Sequence, residues 1–231
     1  MAKMEHLLDN PVWNALISGN EELSYGTDTV KYFSPDVSPF VGLKDYHTDH
    51  FLTLYHQLEN GRICAVACSN EVTIPDFWKT LHQLKVLQMV YNRSIRPTNV
   101  SINESIVSLT EAHIPQMLQL TQLTRPGPFE QDTIQFGHYE GIFHGQQLIA
   151  MAGQRLYPQP YAEISAVCTH PDHTGKGLAG QLIESQIARM LSASAIPFLH
   201  VVPENSRAIN LYERLGFTTR TALFISIIQK P

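Results

Sequence analysis

The segment HPDHTGKGLAGQLIESQ, residues 170–186, sets two glycines and a lysine between a proline turn and an amphipathic run. A helix start leaves its first N–H groups without partners, and glycines let a bulky group approach them closely. The segment therefore demands a fold in which a strand delivers the chain to a helix N-terminus. Three readings compete for it. Gly175 and Gly177 can serve a tight turn and nothing more. A nucleotide-binding loop would need G-x-x-x-x-G-K-[ST]; here one residue separates the glycines and no hydroxyl follows the lysine, so this reading is rejected. The third is a pyrophosphate cradle. Its donors would be the backbone N–H groups of Gly175, Lys176, Gly177, Leu178, Ala179 and Gly180, with the helix dipole behind them and the Lys176 charge on the rim.

The rest of the chain places this junction in a mixed α/β sheet. Ala179, Leu182, Ile183, Ile187, Met190 and Leu191 share one helical face, which predicts the helix after the loop. Upstream, residues 138–156 read as two strands joined at His144 and Gly145, and YAEISAVC reads as a third after the turn YPQP. Downstream, FLHVV reads as a buried strand and SRAINLYERLG as a short helix. Asn205 or Ser206 would cap that helix and Gly216 would stop it. FTTRTALFISIIQK closes with one or two strands. In the amino-terminal part, helices are expected at residues 11–19 and 48–58 and a buried strand at 62–68. A helix is expected after Pro75 with Asp76 as cap, running toward His82; residues 85–92 are strand or the end of that helix. A break at NRSIRPTNVS, residues 92–101, divides the chain into an amino-terminal α/β half, 1–95, and a second unit, 104–231.

Composition narrows the function. With 231 residues, 43% hydrophobic and 16% charged, this is an ordinary globular protein. A net charge of −5 argues against nucleic-acid binding through bulk charge. ICAVAC and FISII, the longest apolar runs, are too short to span a bilayer, and the start MAKMEHLLDN lacks the apolar core of a signal peptide. Three cysteines do not suggest a disulfide scaffold. A cytoplasmic protein without nucleic-acid or membrane partners is expected. The pair His170 and His173 in HPDH has no second ligand pair at metal spacing, so no metal is expected. The closing stretch LFISII reads as an apolar edge that invites pairing, so a homodimer through the closing strands is an expectation.

VCTHPDHTGKGLAGQLI followed by HVVPENSRAINLYERLGF resembles the acetyl-CoA-binding and neighbouring motifs of the GNAT N-acetyltransferase superfamily. The likeness spans roughly residues 107–228, and the second segment ends in the Y-x-x-x-G-F signature. Thr174 stands where that family usually has Gln or Arg, which should weaken a backbone cradle without abolishing it. The resemblance implies acetyl-CoA as co-substrate and an amine acceptor. It implies that Val167, Cys168 and Thr169 lie at a strand end along the pantetheine arm. Thr174 and residues 175–180 would form the diphosphate loop, and Asn205 would lie near the cofactor arm unless it only caps a helix. Tyr212 matches the usual general acid, although Ala208, Ile209, Tyr212 and Leu215 also share a buried helical face. Two residues are candidates for the base. Glu163 sits on the strand leading to the cofactor, where it can equally be an edge-strand charge. His200 sits on the next strand and can equally be a half-buried, hydrogen-bonded histidine. Attack by an already neutral amine is the third route, and an acyl-Cys168 intermediate a fourth.

Residues 1–95 contain no second glycine cradle. Their layout resembles the GNAT branch, glycine N-acyltransferase-like proteins among them, in which a degenerate GNAT-like half precedes an active one. The resemblance implies either a wall of the acceptor cleft or a packing half. A non-catalytic acyl-CoA sensor is the alternative to an enzyme.

Overall fold

The computed structural model describes residues 6–92 and 105–231; apart from Asn92, the expected break lies outside them. The amino-terminal part runs α1 (Pro11–Leu16), β1 (Tyr25–Gly26), β2 (Val30–Tyr32), β3 (Phe40–Leu43), α2 (Thr48–Gln57), β4 (Ile63–Cys68) and β5 (Lys79–Tyr91). Then follow β6 (Ile106–Ser108), α3 (Ile114–Thr124), β7 (Glu140–His144), β8 (Gln147–Gln154), β9 (Tyr161–Thr169) and α4 (Leu178–Ser192). The chain closes with β10 (Ile196–Val201), α5 (Ser206–Arg214) and β11 (Phe217–Gln229).

Among the described residues the strands form one eleven-stranded sheet, ordered β1-β2-β3-β4-β11-β5-β10-β9-β8-β7-β6. Only β3–β4 and β9–β10 are parallel, so the expected mixed, mostly antiparallel α/β sheet with flanking helices is the one that forms. Local chemistry sets several of its corners. Pro11 opens α1, where its missing N–H costs nothing. Gly145, at φ 61°, turns β7 into β8 in a tight hairpin. Side chains of β8 divide between two cores. Met151 packs with Met117 and Leu120 of α3, whereas Ala150 and Ala152 pack with Leu178 and Leu182 of α4. The buried face of α4 includes Leu182, Ile183, Ile187 and Met190, each contributing about 1.5–3 kcal/mol on burial.

The two parts of the chain share this sheet. Strand β5 lies between β10 and β11, pairing with β10 over Leu87–Val90 and with β11 from Lys79 to Tyr91. One core joins Leu8, Leu16 and Phe33 to Met117, Phe136, Met151 and Phe198.

Two expectations are corrected here. The helix expected after Pro75 is absent: a turn closes from the Trp78 amide to the Pro75 carbonyl (2.9 Å), and residues 79–91 are strand. The long ladder with β11 overrides the local helical signal, and only the fold brings that partner alongside. LFISII is not an edge either, because residues 224–228 pair with β4 on one side and β5 on the other. Flanked on both sides, it offers a second copy no free edge to pair with.

Candidate active site at a splay between parallel strands

Strands β9 and β10 pair at Ile196↔Tyr161, Pro197↔Ala162 and Phe198↔Glu163, and no ladder pair follows. Beyond that vertex β10 stays registered with β5, through Leu199↔Met89 to Val201↔Leu87, while β9 stays with β8 through Cys168 and Thr169. The sheet therefore divides. Val167, Cys168 and Thr169 lie on a strand with an open backbone edge, the geometry that an extended ligand completes as an added strand. A bulge at Ala166, which carries φ 53°, shifts the β8–β9 register just before this edge. Bulges of this kind re-aim a strand and end its pairing.

The edge leads into the glycine loop. A 3₁₀ turn, Pro171–His173, is tied off by the Thr174 hydroxyl donating to the Pro171 carbonyl (3.1 Å). Gly175 and Gly177 have φ of 81° and 80°, in the left-handed region where side chains are disfavoured. Gly177 caps α4 without a side-chain bond. From Gly175 to Gly180 no backbone N–H meets an acceptor among the described residues. A Cβ built at Gly175 or Gly177 meets no atom within 4 Å, so the space above the loop is open. Thr174, Gly175, Lys176 and Gly177 are exposed, whereas Leu178 and Gly180 are buried beneath. Lys176 Nζ lies 3.3 Å from His173 Nδ1, on the rim. A row of free donors at the start of a 15-residue helix, with a cation beside it, fits a diphosphate.

The vertex is built in the opposite way. Glu163 is 1% exposed, and both its oxygens are engaged. Arg155 grips it in a fork, Nη2 to Oε1 at 2.6 Å and Nε to Oε2 at 3.0 Å; the Leu156 amide adds a bond at 3.3 Å. His200 Nδ1 lies 2.7 Å from Oε1. Burial alone would raise the Glu163 pKa, but the Arg155 charge and the hydrogen bonds from Arg155 and His200 hold it far below the usual carboxylate range. His200 Nε2 lies 3.1 Å from Gln88 Nε2, which also donates to the Leu8 carbonyl at 3.0 Å. Gln88 Oε1 accepts from Arg220 Nε at 2.6 Å, so its nitrogen is the donor toward His200. This assigns His200 the Nδ1–H tautomer, with Nε2 accepting. Arg220 is the extra residue of a bulge in β11, and its Nη2 reaches Asp9 Oδ1 at 2.6 Å. The result is one polar chain from Arg155 to Asp9, crossing both parts of the molecule.

Tyr212 is packed in the core under α4 and α5, 6.2 Å from the Phe217 ring centroid. Burial raises its pKa to about 12, and its hydroxyl has no hydrogen-bond partner among the described residues. Asn205 Oδ1 accepts from the Ala208 amide at 3.1 Å, the bond of a helix N-cap. Cys168 is buried, and burial pushes its thiol up to about 11. Among the described residues no group of three or more His, Cys, Asp or Glu can hold a metal. No helix there is long and apolar enough to cross a membrane.

Sequence reading missed Arg155, Gln88, Arg220 and Asp9. A signal existed for one of them. A hairpin centred on YPQP pairs Arg155 with Glu163, as the Arg155 amide to Glu163 carbonyl bond (3.0 Å) shows. The other three come from distant segments and leave no local trace.

Residues 139–225 match the family model described as FR47-like protein. A crystal structure from Novosphingobium aromaticivorans DSM 12444, assigned to the GNAT family, is 32% identical, with TM-score 0.88 over 98% of this chain and 100% of that one. A GCN5-related N-acetyltransferase from Kribbella flavida shares the fold at 11% identity, TM-score 0.64, over 97% of this chain and 96% of that one. A GCN5-related N-acetyltransferase-like protein from Streptococcus suis 89/1591 does so at 14%, TM-score 0.53, over 88% and 82%. No curated protein matched. With a splayed parallel pair, a free-amide loop opening a helix and a relative alike over the whole chain, this protein belongs to the GNAT family of acetyltransferases.

Proposed function

We propose that the protein moves an acetyl group from acetyl-CoA to a primary amine of a small molecule, amino acid or peptide, by direct attack of the amine. The observation that carries this reading is the unbroken row of amides at residues 175–180 with no acceptor among the described residues, directly after the open edge of β9. In this reading Thr174 and Gly175 to Gly180 hold the diphosphate, with Lys176 adding charge, and Val167, Cys168 and Thr169 align the pantetheine arm. Residues 104–231 carry the acyl-CoA site. Residues 1–95 are a degenerate GNAT-like half that completes the sheet and walls the acceptor cleft.

Tyr212 supplies the proton that the leaving thiolate takes up. Its hydroxyl stays protonated at neutral pH, as a proton donor must. Glu163 and His200 have every hydrogen-bonding atom engaged, so they act as positioning residues that hold the vertex where β9 and β10 part. The amine then arrives neutral; as the C–N bond forms and the thioester C–S bond breaks, the nitrogen's surplus proton passes to solvent, from which Tyr212 regains the one it gave the thiolate. Cys168, buried with a raised pKa, is poorly suited to form a thiolate, which favours direct transfer over an acyl-cysteine.

The test is an amine panel with acetyl-CoA, following release of free thiol. Amine-dependent release supports the proposal. For a lysine-like amine, kcat/KM should rise about tenfold per pH unit above neutrality until the amine itself titrates near 10.4. A plateau near pH 7 would instead reveal a base on the protein. The saturation of Glu163 and His200 also favours a second reading, an acyl-CoA sensor without a working base. Tight CoA binding with no turnover of any amine would establish it.

A further inference from the structure

A cavity with two polar donor residues in its wall lies at the far end of α4. A cavity of about 420 Å³ opens where the segment around Gly19 and Asn20 meets Phe136, Gln154, Tyr157 and the last turn of α4. Arg189, in that last turn, stands about 16 Å along the helix from Leu178, eleven residues at 1.5 Å each. The cavity is therefore separate from the diphosphate loop.

Its polar groups form a directed set. Arg189 Nη2 donates to Gln154 Oε1 at 3.0 Å and to Gln186 Oε1 at 2.9 Å, and Nε donates to the same Gln186 oxygen at 3.3 Å. Gln186 in turn donates from Nε2 to Glu140 Oε2 at 2.9 Å and to the His138 carbonyl at 2.8 Å. The guanidinium thus touches only neutral oxygens; among the described residues it forms no ion pair. Gln154 is 6% exposed, and with its oxygen committed to Arg189 its amide nitrogen must be a donor. Neither that nitrogen nor Arg189 Nη1 has an acceptor among the described residues, and neither is sealed from the cavity as a fully buried orphan. Glu140, the carboxylate that acts on Arg189 through space, is held off it by Gln186; a half-buried guanidinium with an N–H left over and a buried amide without an acceptor among the described residues both suit an anion.

We propose that this cavity binds a small organic monocarboxylate. The carboxylate would accept from Arg189 Nη1 and Gln154 Nε2, and its apolar body would lie against Phe136, Tyr157 and Met190. Exposed Glu22 on the rim disfavours a second negative charge. Because the cavity joins the amino-terminal segment to α4, an occupant would fasten the two parts together.

Calorimetry on the full chain, titrating phenylacetate and its neutral amide phenylacetamide, tests this. Phenylacetate should bind and phenylacetamide at least about tenfold more weakly, since a charge-assisted bond contributes about 1.5–3 kcal/mol. Arg189→Gln should weaken phenylacetate by a similar factor. If that variant does not fold, Ala193→Trp at the exposed edge of the cavity fills it, leaves the Arg189 bonds in place and should abolish binding. Equal binding of acid and amide, unchanged affinity in a folded variant, or no saturable heat up to about 10 mM phenylacetate overturns the proposal. CoA titrated in parallel reports on the other end of α4, so failure here and failure of the acetyl-transfer reading are distinguishable.

Discussion

The vertex at Glu163 and the loop at residues 175–180 lie on consecutive segments, yet their polar groups are treated in opposite ways. At the vertex each carboxylate oxygen and each imidazole nitrogen has a protein partner. At the loop a whole row of amides has none among the described residues. An unpaired donor is tolerated where solvent or a ligand reaches it, whereas a buried charge must be paired within the protein. The contrast separates groups that hold the molecule from groups kept for a ligand. It also explains why the acidic and basic residues nearest the splay are read as positioning residues.

The largest expected effect comes from Tyr212, a buried group whose hydroxyl has no partner among the described residues. Tyr212→Phe keeps the ring and should lower kcat roughly 10²- to 10⁴-fold while leaving CoA affinity unchanged. An unchanged kcat in a folded variant would move Tyr212 to the holding group. Next is Glu163→Gln, which leaves Arg155 without its counter-charge in the interior and should destabilise the fold by roughly 3–5 kcal/mol in chemical denaturation. The folded-state pKa of Glu163 is depressed, so its contribution is complete above the unfolded value near 4.5 and is lost as pH falls toward the folded value. Wild type should therefore lose stability more steeply than Glu163→Gln below pH 4.5. Parallel slopes would show that the vertex is not held by this charge.

Gly177→Ala tests the loop. No neighbour obstructs the added methyl, so the left-handed φ is the whole penalty, roughly 1–2 kcal/mol. CoA binding should weaken up to about thirtyfold. Unaltered affinity would mean that the loop geometry does not serve a ligand. The smallest effect is at Asn205. Asn205→Ala should cost about 1 kcal/mol of stability through the lost cap, with CoA affinity unaltered. Loss of affinity without loss of stability would instead place Asn205 beside the cofactor arm.

Local chemistry alone made several features legible. Glycines before an amphipathic run mark a free helix start whatever surrounds them, because left-handed φ and missing acceptors belong to a few consecutive residues. The buried face of α4, the Gly145 hairpin and the Asn205 cap follow from the same short-range rules. Three things were decided only in the tertiary structure. Residues 79–91 became a strand because β10 and β11 flank them. Glu163 and His200 became a saturated pair because Arg155, Gln88, Arg220 and Asp9 converge on them from separate segments. Arg189 and Gln154 came to line one cavity because the segment around Gly19 meets the end of α4 there. Pairing partners and counter-charges are set by proximity in space, and a periodicity measured along the chain contains no record of them.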